Sequence, residues 1–203
     1  GMNLTGNIWD FKSDVASCRP IVLTLGGYNN INENHFAIDT DTASVFIMVL
    51  SGNSNAGVVN ISDNSIISSA GTGAATLRFA NTSNFKNVRI TNNDTGGALL
   101  IEDCDRLYVM DNTIILPANN TLRGIYFDNT GYAQKALAEI HGNHVYQPSA
   151  LNVPGIGIAS NDDATNNTLS KVTMNRIEGN SAGALLIQST HGVIETIGNT
   201  IIN

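Results

Sequence analysis

A chain of 203 residues, 42% of them apolar, is long enough to bury one sizeable core. Only 13% of residues are charged, the formal net charge is −7, and the ten Lys and Arg are scattered. That excludes the clustered cations of a nucleic-acid partner, and no run reaches the ~18 apolar residues that would indicate membrane insertion.

In chain order the predicted elements repeat. After Gly1, which has the look of a tag-cleavage scar, an apolar strand passes Asn7 and resumes at Ile8-Trp9. The alternating run 21–25 follows, then the same passage at Ile31, Asn34 and Phe36. The apolar run 45–50 suits a buried strand and precedes Ile61, Asn64 and Ile66. Next come the strand 75–79 and Asn93, the strand 97–101 and Asn112, and the strand 124–127 and Asn143. The strand 155–158 with Asn175, and 183–187 with Asn199, complete the series. Successive Asn positions lie 19 to 32 residues apart, with no helix-like pattern between them. Repeats of this length signal a solenoid.

One repeat of strand, turn, strand and turn makes one coil of a parallel β-helix, with strands stacked ~4.8 Å apart. About eight coils would give a rod roughly 35–40 Å long at that spacing. The Asn is expected to recur for two reasons. It tolerates the left-handed conformation at a sharp bend, and stacked amides hydrogen-bond from coil to coil as an asparagine ladder. The whole of 1–203 forms a single domain in this reading. A solenoid needs caps and neither end shows a capping helix, so the chain is expected to be a fragment of a longer protein or to be capped by a neighbour.

The eight Asn passages and the paired strands GALLIEDC at 97 and GALLIQST at 183 resemble the right-handed parallel β-helix repeat of the pectin-lyase-like superfamily. The resemblance runs from Leu4 to Ile202 and implies an all-β, right-handed, single-stranded parallel β-helix. It also implies a carbohydrate-directed protein of the tailspike or polysaccharide-processing type, placed outside the cell, on a cell surface or on a virion. Fold alone does not assign chemistry.

Alternation places Asn60, Arg89, Tyr108, Glu139, Lys171 and Glu195 outward on the strand before each Asn, a solvated face. On the second strand the outward column is expected to be Thr24, Phe46 (or Ile47), Arg78, Leu100, Tyr126, Gly157 and Leu186. An apolar stripe of Leu100, Tyr126 and Leu186 needs a cover. A loop folded over it, the interface of a homotrimer and a sugar-stacking platform all remain open.

The long inter-strand segments are 37–44, 116–123, 128–137, 147–154 and 159–171. Binding and catalysis concentrate on such loops. Hydrolysis of a polysaccharide would need two carboxyl groups in one groove, ~5–10 Å apart. Asp39/Asp41, Glu102/Asp103/Asp105 and Asp162/Asp163 are the candidates, and Asp103 sits where other coils place a turn former. The Asp pairs and Gly-His-Gly signature of the hydrolases the chain resembles are missing, His191-Gly192 being a fragment. A lyase would need a Ca²⁺ cage and an Arg or Lys base, and only Asp162/Asp163 offers adjacent carboxylates.

His35, His141, His144 and His191 form no metal-ligand spacing with the cysteines, so neither a metal site nor a cofactor is expected. Cys18 and Cys104 are too many repeats apart to pair and are expected to be free packing residues. The Asn-x-Ser/Thr sequons are those a chain rich in Asn and Thr carries by chance.

The expected activity is binding of a polysaccharide or oligosaccharide along the rod, or help in processing it. Arg78, Arg123, Tyr126 and His144 are expected around one face. Tyr126 would stack on a sugar while the arginines hold hydroxyls or carboxylates. The alternatives are a purely structural rod, such as an adhesin stalk or tail-fibre shaft, and a lyase or hydrolase completed by missing sequence or another chain.

Overall fold

A computed structural model describes residues 1–12, 21–39, 46–68, 75–79, 85–117, 123–130, 136–148, 154–160, 168–179, 185–188 and 193–202. Among them there is no helix, and every strand pairing is parallel. The chain is a β-solenoid. Three strand positions recur: an approach strand leading to each Asn, a short departure strand after it, and a third strand.

The departure strands form an eight-stranded sheet from Ile8–Lys12 at one end to Thr200–Ile202 at the other. Approach and third strands belong to one 13-stranded sheet, because Ile21–Asn32 and Phe46–Ser62 run on through the corner between the two faces. A register shift at Leu25/Gly27 and Gly27/Tyr28 turns that corner, and Gly27 supplies the positive φ of 69° there.

The shortest coil, Asn93 to Asn112, shows what a circuit requires. Its departure strand is Asp94–Thr95, its third strand Ala98–Glu102 and its approach strand Arg106–Met110. Gly96-Gly97 makes one corner and Asp103-Cys104-Asp105 the next. Burial alternates along these strands, as period two demands: Leu107 and Val109 are buried while Arg106 is exposed and Tyr108 is half-buried.

The core is a set of like-on-like stacks. Ile31, Ile61, Ile90, Val109, Ile140 and Val172 occupy one inward column and are fully buried. Register aligns them rung by rung. β-branched side chains suit such a column, and burying each contributes roughly 1.5–3 kcal/mol. At the two ends of the stack the same column passes to Leu4, which is half-buried, and to Thr196, which is exposed.

The Asn column is the second spine. Asn7, Asn34, Asn64, Asn93, Asn112, Asn143, Asn175 and Asn199 are linked in seven successive steps. In each step the backbone N–H donates to the next Asn Oδ1 at 3.0–3.1 Å. The side-chain Nδ2 donates to the same oxygen at 2.9–3.0 Å. Nδ2 also meets backbone carbonyls: Asn112 Nδ2 lies 2.9 Å from Ile90 O and 2.9 Å from Met110 O. Only a short amide serves here, since Asp lacks the donors.

The expected left-handed role of the Asn is corrected. The residue with positive φ is the one before it, at each of the eight Asn positions: Gly6, Glu33, Asp63, Asn92, Asp111, Gly142, Met174 and Gly198. That residue turns the chain, which frees the Asn to point inward and bond along the stack.

Candidate functional site

The outward residues of the approach strands stand in the expected register, Asn60–Arg89–Tyr108–Glu139–Lys171–Glu195. The Arg89 guanidinium lies 5.3 Å from the Tyr108 ring centroid, and Lys171 Nζ is 4.0 Å from Glu195 Oε2.

The third face differs from expectation in its first coils. Arg78 pairs with Val49 and Val49 with Val22, so Val22 and Val49 replace Thr24 and Phe46 in the column. The bulged strands reach this face displaced from the register that period two suggests. From Arg78 onward the column is as expected: Leu100, Tyr126, Gly157, Leu186.

Three of the four predicted site residues gather on this face. Tyr126 projects from the strand Ile125–Asn129, and Arg123 precedes that strand across Gly124. The Arg123 guanidinium carbon sits 4.0 Å from the Tyr126 ring centroid. It fits because residue 157 is glycine: a Cβ there would collide with Arg123 Cδ and lie 3.2 Å from the Tyr126 ring. Tyr126 therefore presents its ring to Arg123, and both side chains are half-buried. Two rungs away, Arg78 Nη2 bonds Glu102 Oε1 at 3.2 Å.

His144 is not part of this group. It lies on the departure strand His144–Tyr146, in the other sheet, with Nε2 3.1 Å from Glu178 Oε1. Arg176 Nε bonds the same carboxylate oxygen. That bond, foremost, holds the Glu178 carboxyl below the ordinary carboxylate range, and the charges of Arg176 and His144 add to it against a smaller opposing effect of burial.

Among the carboxylates, Glu102 and Asp103 do not share a groove. Glu102 faces outward, while Asp103 is 3% exposed at a turn with φ 43°. Asp105 rises above its ordinary value, chiefly through burial. The neighbour of Glu102 is Asp128, its register partner one coil on, a juxtaposition not visible in the sequence. Asp128 Oδ1 accepts from Thr130 N at 3.1 Å and Thr130 Oγ1 at 2.7 Å, and Oδ2 from Tyr126 Oη at 3.4 Å. The pair thus anchors the basic and aromatic side chains around it. Asp41, Asp162, Asp163, His191 and Cys18, together with the side chains of Asp39 and Leu186, lie outside the description. Among the described residues no three His, Cys, Asp or Glu side chains group as a metal site. Cys104 is free and fully buried, and its thiol is pushed far up, first by that burial.

Leu100 and Tyr126 are only half-buried. On the departure face Ile67 and Ile115 are 57% and 52% exposed. Together with Gly96, Leu116 and Pro117 they line a groove of about 560 Å³.

Comparison with protein-family models, with curated proteins and with solved structures finds no match to this chain.

Proposed function

We propose that the protein is a polysaccharide-binding β-helix, a rigid rod that holds an extended glycan against its third face. One observation carries this reading: the Arg123 guanidinium mounted on the Tyr126 ring in the space left by Gly157. A stacked guanidinium is held in place by the ring and keeps its N–H edge for a hydroxyl or carboxylate. Arg78, on the same face, supplies a second such donor two rungs away. A stack of strands repeating at ~4.8 Å suits a ligand that is itself a repeating chain. The wider reading is a surface or virion protein of the pectin-lyase-like, tailspike kind, and it rests on the sequence resemblance alone.

The test is binding of uronate-containing and neutral oligosaccharides by calorimetry. Arg123→Ala and Tyr126→Ala should each weaken the third-face ligand at least tenfold, about 1.4 kcal/mol. Unchanged affinity in Tyr126→Ala would sink the reading. A purely structural rod is the second reading, favoured because Arg78–Glu102 and Arg123–Tyr126 already satisfy each other. It expects no glycan affinity at any face.

A further inference from the structure

The approach face changes character along the rod. Toward its C-terminal end the outward column is Glu139, Lys171 and Glu195, all charged. Toward the N-terminal end it is Asn3, Asn30 and Asn60, ending at Arg89. The parallel column two residues on holds Thr5, Asn32, Ser62 and Thr91. These two columns line an open depression of about 550 Å³.

The side chains in it are organised before any ligand arrives. Thr5 Oγ1 lies 3.0 Å from Asn32 Oδ1 and 3.1 Å from Asn3 Oδ1. Asn60 Nδ2 donates to Asn30 Oδ1 at 3.0 Å and to Tyr28 Oη at 2.8 Å. With Asn30 and Asn32 oxygens engaged between rungs, their amide NH₂ groups have no partner among the described residues. The bond from Asn60 also fixes Tyr28, 55% exposed, beside the depression.

We propose that this depression is a binding site for a neutral, hydroxyl-rich saccharide, separate from the third face. Sugar hydroxyls both donate and accept, which is the capacity that rows of Asn, Ser and Thr offer. Tyr28 adds a ring face for stacking on the sugar's C–H surface. The single lining cation, Arg89, is too little for a phosphate backbone, and Arg89 is itself placed over Tyr108. A protein partner would want an apolar anchor in the centre of the patch, and the lining has none.

The experiment uses malto- and cello-hexaose as neutral probes and an oligogalacturonate as the anionic one, added to the ¹⁵N-labelled chain. A neutral hexamer should shift the side-chain amide signals of Asn30, Asn32 and Asn60, with an affinity indifferent to salt. Tyr28→Ala and Asn60→Ala should each weaken it tenfold or more, while Tyr126→Ala leaves it unchanged. The idea is overturned if neither neutral hexamer moves those amides at millimolar concentration. It is equally overturned if the shifts map to the third face, or if only the anionic probe binds, with steep salt dependence. Because the wild-type amide shifts are read directly, a variant that fails to fold does not remove the test.

Discussion

In the corner before each departure strand, the Asn column and the column just ahead of it differ in what they admit. The first is Asn at all eight of its positions; the second holds Gly, Glu, Asp, Asn or Met. Both positions are needed for the bend, but they are constrained by different physics. The Asn side chain must accept and donate inside the stack, where an unmet group costs about 1–3 kcal/mol. The residue before it must take a φ of +55 to +68°, a strain of about 1–3 kcal/mol for a side chain other than glycine, and it has water outside. Chemistry that cannot be replaced fixes the residue type; strain that can be tolerated does not.

Breaking the ladder at its middle should have the largest effect. Asn112→Ala strands the donors of Asn93 and the acceptor Ile90 O, all in buried bonds, and the part-buried acceptor Met110 O. A loss of roughly 3–5 kcal/mol is expected in denaturant unfolding. Asn199→Ala, at the half-exposed end of the ladder, should cost only about 1 kcal/mol, because water reaches the groups it frees. Equal losses at the two positions would mean the ladder is not cooperative with burial.

The column ahead of it gives a pair of opposite signs. Gly142→Ala should destabilise by about 2 kcal/mol, since its φ is +67° and the new Cβ would run into the Asp111 carboxylate. Met174→Gly should raise the thermal midpoint, by up to about 1 kcal/mol of stability, because the φ of 56° is relieved and the methionine is 57% exposed. A lowered midpoint would show that Met174 packs against Gly198 to real effect.

The smallest effect is expected at Glu178. Its folded-state carboxyl value lies below the unfolded one, foremost through the Arg176 hydrogen bond. Its stabilising contribution is therefore complete above the unfolded value and disappears as pH falls through the folded one. Arg176→Ala should move the Glu178 titration, followed by carboxyl NMR, upward, and should reduce the acid-side loss of stability that this group causes.

Parts of the candidate site were legible in the sequence. Period-two alternation placed Arg89, Tyr108, Glu139 and Lys171 on one outward column, as the pairings have it. It also placed Arg78, Leu100 and Tyr126 on another. Arg123 over Tyr126 was not legible, because it depends on the notch left by a glycine one coil away. His144 was assigned to that face, but it stands on the departure sheet with Glu178. The amide-lined depression is likewise not legible, since Asn and Ser in an alternating strand look like ordinary solvated positions until the rungs stack.

The sequence by itself determined the solenoid, the ladder and the in-or-out sense of most strands. Each of these follows from a local rule: a recurrent Asn, a period of two, an apolar residue at a fixed offset. Only the tertiary structure decided which residue turns the corner, that Val22 and Val49 lead the Arg78 column, and that Glu102 adjoins Asp128. The physical reason is that coils differ in length, from 19 residues to 32 between successive Asn, and bulges shift strands within them. Neighbours across coils are therefore set by hydrogen-bond register and not by separation along the chain.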